Sequence, residues 1–257
     1  MVIDAHVHIT ENGKWFNTTH DASVNHLMRS LDQSSIDKAV VLPIAPIISN
    51  EFVAEICNEY PDKLIGFASV DPLDKNAVIE LETGIVDLKL KGLKLHPKIQ
   101  NFRMDYQNVI PIIKKAADLK IPILIDGWIR PIDVDHQNML NSIYKIAREI
   151  PRVNIVLAHL GGFNFKDIIR IADQDNIYFD LSFVLNYFGE KTLHEKIVPI
   201  LTELGASRLI YGSDHPEINM PSYYNFTMDL LKNIGFNSEN INDIFNENIT
   251  QLLNLRR

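Results

Sequence analysis

The chain has 257 residues, 46% of them hydrophobic and 23% charged, and its formal net charge is −8. That acidic balance argues against nucleic acid or an anionic membrane surface as a general partner, because both are polyanionic. No apolar run is long enough to cross a membrane, no basic leader precedes the first apolar run, and the single cysteine, Cys57, cannot form an internal disulfide. We therefore expect a reduced, cytoplasmic protein that acts on a small molecule.

Short β-branched apolar runs alternate with amphipathic segments along the whole chain. The predicted strands are residues 2–8, 38–44, 64–70, 92–96, 122–127, 154–160, 176–182 and 208–214. The segments between them carry apolar residues at steps of three and four, which predicts helices. A last helix is predicted over residues 238–255, with Ser238 as its N-cap.

Eight strand–helix units in a chain of this length are typical of a (β/α)8 TIM barrel, an α/β fold. We expect residues 1–257 to form one such domain, with the C-terminal helix as its last element. An open, doubly wound sheet is the alternative, but it usually carries a glycine-rich phosphate loop after its first strand. Here the sequence His-Val-His-Ile-Thr, residues 6–10, occupies that position, so the pattern favours the barrel.

The first predicted strand places Asp4, His6 and His8 on one face, because side chains alternate along an extended chain. Two neutral imidazoles on one side of an apolar strand are costly to bury unless something accepts their lone pairs. A metal ion is one such partner, and a hydrogen-bond network is the other.

Polar residues also recur where the other predicted strands end. In a TIM barrel the carboxyl ends of the strands meet at one mouth, where the active site lies. The residues at these ends are His6, His8, Asp71, Lys94, His96, Asp126, His159, Asp180, Asp214 and His215. Such groups are costly at random core positions, so their concentration at the strand ends predicts an active site at the mouth.

Six motifs resemble those of the amidohydrolase superfamily. They are DAHVHI, KGLKLHPKIQNF, IPILIDG, VLAHLGG, NIYFDLS and LIYGSDHP, and in this order they extend along essentially the whole chain. The branch to which the sequence is similar includes aminocarboxymuconate semialdehyde decarboxylase. The resemblance implies a TIM barrel that holds one divalent metal ion, commonly zinc, with manganese and iron as alternatives.

The resemblance also implies roles for individual residues. His6, His8 and Asp214 match metal ligands, and Asp214 would in addition be the general base that takes a proton from the attacking water. His159 matches a histidine that contacts this water or the substrate. Hydrolysis needs such a set, because a Lewis acid lowers the pKa of water towards about 7 and a neighbouring carboxylate accepts the proton.

One motif departs from the family pattern. Asp126 stands where relatives usually carry a metal-binding histidine. Aspartate can ligate zinc, manganese or iron, so Asp126 would replace the imidazole as a fourth ligand and help to neutralise a divalent ion. The other outcome is loss of the metal, since some branches of the superfamily hydrolyse lactones without one.

Lys94 and His96 share a face on the fourth predicted strand. We expect one of them to meet a substrate carboxylate or to orient the neighbouring ligands. In binuclear relatives a carbamylated lysine on this strand bridges two metals, and Lys94 could take that role, but the motif at the last strand favours a single metal.

Aromatic residues near the expected mouth predict the walls of a substrate pocket. The irregular segment 11–23 carries Trp15 and His20 and would form a lid. Trp128 would form a second wall and Arg130 an anion contact, unless both only pack at the rim.

These assignments predict a metal-dependent hydrolase of a small C–N, ester or lactone bond. Non-oxidative decarboxylation of a small carboxylic acid is the alternative, and it would need a cation for the substrate carboxylate, for which Arg103 and Arg130 are candidates. A metal-free lactonase or a non-catalytic barrel is the third hypothesis. Barrels of this type often pair, so a homodimer is expected by analogy.

Overall fold

The computed structural model describes residues 1–255, apart from the side chain of Asp135. Short parallel strands form its centre and helices surround them, as alternating strands and helices require. The strands are β1 (Ile3–Val7), β2 (Lys38–Val41), β3 (Leu64–Gly66), β4 (Ala68–Ser69), β5 (Leu93–Leu95), β6 (Ile123–Ile125), β7 (Ile155–Leu157), β8 (Ile177–Asp180) and β9 (Leu209–Ile210). Each predicted strand contains at least one of them.

Hydrogen bonds join the strands into a barrel. The order β1-β2-β3 makes one parallel sheet, and β4 to β9 follow one another in a second. β3 and β4 are two pieces of one barrel strand, because Phe67 between them donates its backbone N–H to the carbonyl of Val41. After β9 the chain returns to β1, where the N–H of Asp214 donates to the carbonyl of His6 over 2.8 Å. The predicted (β/α)8 barrel is confirmed.

A bulge in β1 changes the direction of its side chains. Asp4 lies opposite Ala39 of β2 and Val7 lies opposite Val41, so three steps along β1 match two along β2. Ala39 and Val41 belong to the apolar layer between the barrel and the helices, so Asp4 faces that layer too. The expectation that Asp4 shares a face with the two histidines is therefore wrong, because strict alternation fails at a bulge.

Helices connect the strands and cover the barrel. They are α1 (Val24–Asp32), α2 (Asn50–Glu59), α3 (Ala77–Val86), α4 (Val109–Leu119), α5 (Met139–Glu149), α6 (Phe165–Ile171), α7 (Val184–Tyr187), α8 (Glu190–Thr192), α9 (Val198–Leu204), α10 (Met220–Asn233), α11 (Ser238–Asn242) and α12 (Asn248–Leu252). The hydroxyl oxygens of Ser23 and Ser49 cap α1 and α2 by accepting from backbone N–H groups. Asn237, rather than Ser238, caps α11, and it forms a capping box with Asn240.

Apolar side chains fill both faces of the strands. Ile123 and Ile125 of β6 belong to the layer that packs against the helices, whereas Leu124 between them belongs to a second cluster on the opposite face. The apolar side chains of both layers are almost fully buried, so a rigid, closely packed core supports the polar groups at the strand ends. No helix within residues 1–255 is long and apolar enough to cross a membrane.

Candidate active site

Three ligand atoms converge at the mouth of the barrel. The Nε2 atoms of His6, in β1, and His8, directly after it, are 3.1 Å apart. Oδ1 of Asp214, which follows β9, lies 3.4 Å from the first and 3.5 Å from the second. Asp214 has a φ of 70°, a costly value for a residue with a side chain, and its N–H bond to His6 helps to hold it there. The three atoms are close enough to ligate one ion.

The tautomers of both histidines follow from their hydrogen-bond partners. Nδ1 of His8 lies 2.7 Å from the carbonyl oxygen of Leu42, which can only accept, so this nitrogen carries the proton. Nδ1 of His6 donates to Oδ2 of Asp180 over 2.8 Å. Burial lowers the pKa of His6 and of His8, so both rings are neutral. Each Nε2 atom therefore presents a lone pair.

This arrangement fits a divalent metal ion. Two nitrogen lone pairs and one carboxylate oxygen point at the same place, and they repel one another unless a cation lies among them. Imidazole nitrogen and carboxylate oxygen are ligands of zinc, manganese and iron. Metal-binding histidines also usually donate their second ring N–H to a carboxylate or a carbonyl, as His6 and His8 do.

Lys94 of β5 lies beside this ligand set. It is fully buried, and its Nζ is 3.4 Å from Nε2 of His6. Burial lowers the pKa of Lys94, while the carboxylates of Asp126, Asp180 and Asp214 act against that shift. The amine thus lies beside the ligand atoms, within reach of Nε2 of His6, and the side chain does not line the cavity above them.

Asp126, which follows β6, and His159, in the turn after β7, form a buried ion pair. Oδ2 of Asp126 is 3.0 Å from Nε2 of His159. Nδ1 of His159 lies 3.1 Å from the carbonyl oxygen of Ser182, so both ring nitrogens face acceptors and both carry protons. Burial opposes protonation, but the hydrogen bond to Asp126 and the nearby carboxylates raise the pKa of His159 to about 9. His159 is therefore a cation at neutral pH.

Asp126 does not lie among the three converging ligand atoms, and its role as a metal ligand stays a prediction. The oxygen that faces His159 also lies 3.5 Å from Nε2 of His96, and the other oxygen accepts the backbone N–H of Trp128. Burial opposes ionisation, but the His96 and His159 rings and the Lys94 amine hold the pKa of Asp126 well below its usual range. Both carboxylate oxygens are thus engaged at the side of the cavity.

Glycines allow this pair to form. His159 has a φ of 56°, and Gly161 and Gly162 after it also have positive φ values. A Cβ atom on Gly162 would lie only 2.9 Å from the carbonyl oxygen of Gly127. Side chains are therefore excluded where the turns after β6 and β7 approach each other, and this approach brings His159 to Asp126.

Asp180, at the end of β8, contacts both His6 and His159. Its Oδ1 accepts the backbone N–H groups of His159 and Ser182, and its Oδ2 accepts from His6. Burial would raise the pKa of Asp180, but its contacts with His6, His159 and Ser182 hold it well below the usual range. The Ser182 hydroxyl lies 3.0 Å from Nδ1 of both histidines. Sequence reasoning missed Ser182, although its two-residue step from Asp180 along the predicted strand could have marked it.

A cavity of about 290 Å³ opens above these groups. Its lining residues are His8, Trp15, Phe16, Ile44, His96, Lys98, Ile99, Asp126, Trp128, Phe183, Asp214 and Glu217. Aromatic rings form much of its wall: Trp15 stacks on His8 with ring centroids 4.8 Å apart, and Trp128 meets Phe183 edge to face at 4.9 Å. The volume suits a small ligand, and His8 and Asp214 face it directly.

Segment 11–23 covers one side of this cavity, where a lid was expected. Trp15 is buried, and its indole N–H donates to the carboxylate of Glu217, which follows β9. His20 lies at the rim with its side chain 41% exposed, and its Nε2 is 3.6 Å from Glu217. Glu217 was missed from the sequence, although it lies only three residues after Asp214.

The cation that lines the cavity is Lys98, whereas the sequence predicted Arg130. Arg130 is exposed and its guanidinium pairs with Asp133, while Arg103 pairs with Asp105, and neither arginine lines the cavity. Lys98 does line it, with its Nζ 3.4 Å from Asp133. Asp133 and Asp105 pair with the two guanidinium groups, so Arg130 does not enter the cavity as the sequence predicted.

Comparisons with known proteins agree with this architecture. An uncharacterised TIM-barrel protein from Bordetella bronchiseptica is 18% identical, with a TM-score of 0.81 and 98% of each chain covered. A dihydroxybenzoic acid decarboxylase from Polaromonas sp. JS666, solved with manganese and 2-nitroresorcinol, is 17% identical, with a TM-score of 0.77 and with 100% of this chain and 97% of that chain covered. A probable 2-pyrone-4,6-dicarboxylic acid hydrolase from Acinetobacter baumannii is 17% identical, with a TM-score of 0.71 and with 98% and 99% covered.

At these identities the solved structures establish the fold alone. A search of the curated proteins gives no match. A family model described as Amidohydrolase, however, matches residues 3–255. Because that match extends over nearly the whole barrel and includes every strand end that carries the polar groups, the chain belongs to the amidohydrolase family.

Proposed function

We propose that the protein is a metal-dependent hydrolase that cleaves a C–N, ester or lactone bond of a small molecule. The observation that carries this proposal is the convergence of His6 Nε2, His8 Nε2 and Asp214 Oδ1, all within 3.5 Å of one another, at the floor of a cavity. When bound there, one divalent ion, zinc with manganese or iron as alternatives, would lower the pKa of water and polarise the scissile bond.

Asp214 is the general base in this proposal. Its Oδ1 faces the two histidines, and among the described residues its Oδ2 has no hydrogen-bond partner. The side chain is 11% exposed, on the cavity side. A carboxylate with one free oxygen can take a proton from an attacking water and pass it to the leaving group.

His159 acts through its charge and its position. Both of its ring protons are donated, to Asp126 and to the carbonyl of Ser182, so it cannot accept a proton from water. It holds Asp126 ionised at the cavity wall, where that carboxylate can accept an N–H or O–H of the substrate. Asp180 and Lys94 contact the His6 ring, and the carbonyl oxygen of Leu42 orients the His8 ring.

The cavity favours a small, flat substrate. Trp15, Phe16, Trp128 and Phe183 supply ring surfaces, and Lys98 supplies a cation at the wall. A compact ring molecule with a carboxylate would stack between these walls and reach Lys98.

Decarboxylation of a small aromatic or unsaturated acid is the second candidate. The aromatic walls and Lys98 favour it, and decarboxylases of dihydroxybenzoates and of 5-carboxyvanillate occur among the similar solved structures. Arg103 and Arg130, the expected carboxylate contacts of a decarboxylase, both lie outside the cavity, so Lys98 would have to take that role.

One experiment separates these functions. The purified protein is loaded with zinc, manganese or iron and incubated with a panel of lactones, esters, amides and aromatic carboxylates, while acid release and CO₂ release are measured in parallel. Metal-dependent acid release without CO₂ supports the hydrolase, and CO₂ release identifies the decarboxylase. Turnover that persists after chelation would identify a metal-free lactonase. The His8→Ala variant is the control for metal dependence.

A further inference from the structure

A second cavity, of about 390 Å³, lies at the end of the barrel opposite the mouth. Its lining includes residues at the amino ends of the strands: Lys38 begins β2, Leu64 begins β3, and Lys91 shortly precedes β5. It is larger than the cavity at the mouth and falls in the size range of small-molecule sites. None of its residues belongs to the candidate active site.

The floor of this cavity is apolar. Ala54, Leu64 and Leu90 line it as buried side chains, and Cys57 lines it with its Sγ close to Gly66. Burial raises the pKa of the Cys57 thiol to about 12, and no neighbouring charge contributes to that shift. The deep part of the cavity is therefore a low-dielectric environment that suits a hydrocarbon.

The rim of the same cavity is cationic. Lys38, Lys89 and Lys91 line it, and none of the three forms an ion pair with any carboxylate in the part of the chain that the structure describes. The amines of Lys38 and Lys89 donate only to the backbone carbonyls of Asp62 and Val86. In a chain with a net charge of −8, three cations without carboxylate partners make this rim a local positive region.

We propose that this cavity binds a small carboxylate with an apolar body. The body would displace water from the floor lined by Leu64, Leu90 and Cys57, and the carboxylate would accept from the amines of Lys89 and Lys91. A neutral molecule of the same shape would lack the second contribution, and a cation would be repelled. Binding here needs neither the metal nor the residues of the mouth.

Cys57 is a reporter inside the proposed site. Octanoate is added to the full-length protein as the probe at pH 9, where a thiol of raised pKa still reacts slowly through its thiolate, and the alkylation of Cys57 by iodoacetamide is followed over hours by mass spectrometry. We expect saturating octanoate to slow this reaction by at least about tenfold, because the bound chain covers the thiol. n-Octanol and octyltrimethylammonium, which have the same chain without a negative charge, should slow it less than about twofold.

A pair of charge variants tests the rim. The Lys89→Gln/Lys91→Gln double variant should bind octanoate about tenfold more weakly by titration calorimetry. The Lys191→Gln/Lys232→Gln double variant, which removes the same charge from exposed positions elsewhere, should bind like the wild type. Circular dichroism checks that both fold. The proposal is overturned if octanoate leaves Cys57 unprotected, if n-octanol protects it equally, or if the two double variants bind octanoate alike.

Discussion

The buried pair of Asp126 and His159 leads to a prediction that separates metal ligation by Asp126 from a role as partner of His159. Asp126→Asn keeps the size and shape of the side chain but removes its charge. His159 then loses the anion that accepts its Nε2 proton, the largest of the contributions that raise its pKa, so that pKa falls from about 9. We expect the variant to fold and to be less stable than the wild type.

The expected loss in the free energy of unfolding follows from the pKa of His159, which rises from 6.5 in the unfolded chain to about 9 in the native protein. A raised pKa of this kind adds stability that is complete below pH 6.5 and is lost as the pH rises through 9. At about 1.4 kcal/mol per pKa unit, the whole shift corresponds to about 3 kcal/mol at pH 6, and Asp126 supplies the largest part of it. Near pH 10 His159 is neutral in both proteins, so this contribution is lost and the gap between them should be smaller.

Urea unfolding at pH 6 and at pH 10 measures both values, in one series with a chelator and in a second series with added zinc. Asp167→Asn is the matched control, because it breaks the exposed pair of Asp167 and Arg170 and should cost less than about 0.5 kcal/mol at either pH. If the gap between wild type and Asp126→Asn does not depend on pH, Asp126 does not hold His159 protonated. If the gap exists only when metal is present, Asp126 is a metal ligand, and the geometry described above is not the functional one.

Three further predictions concern the ligand set and the first strand. Elemental analysis should find zinc, manganese or iron in the wild type and none in the His6→Ala/His8→Ala double variant; full metal content in the variant would contradict the ligand assignment. Asp214→Asn should fold normally and lose at least about 10²-fold in turnover, because an amide cannot accept the proton; a wild-type rate at neutral pH would remove Asp214 as the base. Burial raises the pKa of Asp4 to about 7, and its Oδ1 accepts the N–H groups of His6 and Ser213 while its Oδ2 has no partner. Asp4→Asn should therefore unfold at nearly the wild-type urea concentration. Asp4→Ala should lose about 2–4 kcal/mol of the free energy of unfolding, because it leaves two buried N–H groups unpaired. Equal losses in the two variants would show that those two hydrogen bonds are unimportant.

The barrel and its mouth are predictable from the sequence because their signals are local. β-branched runs of the right length mark the strands, and a polar residue directly after each run must lie at a strand end. Asp214 and His159 could thus be placed at one end of the barrel before their distances were known. The lid over the cavity was also predictable, since Trp15 lies in the long irregular segment after the first strand.

Features that depend on contacts between distant segments were not predictable. The bulge in β1 comes from its pairing with β2, and it alone moves Asp4 to the helix side. The ion pair between Asp126 and His159 depends on the close approach of the turns after β6 and β7. The sequence indicates this approach only through Gly161 and Gly162. Arg130 is different, because Asp133 three residues later was a local sign of the pair that keeps it from the cavity.

Because Asp126 is paired with His159, its replacement of the usual histidine has a different effect on the net charge around the proposed metal. As a fourth ligand, Asp126 would neutralise a divalent ion together with Asp214. Paired with a protonated His159, it forms a unit with no net charge, as neutral as the histidine it replaces. The remaining ligands, two neutral imidazoles and one carboxylate, would leave a divalent ion with a net positive charge. Such a centre would hold its metal less tightly than a set with four ligands, but it would attract electrons from water and substrate more strongly. The substitution on this strand is therefore compatible with metal-dependent hydrolysis and does not by itself indicate that the metal has been lost.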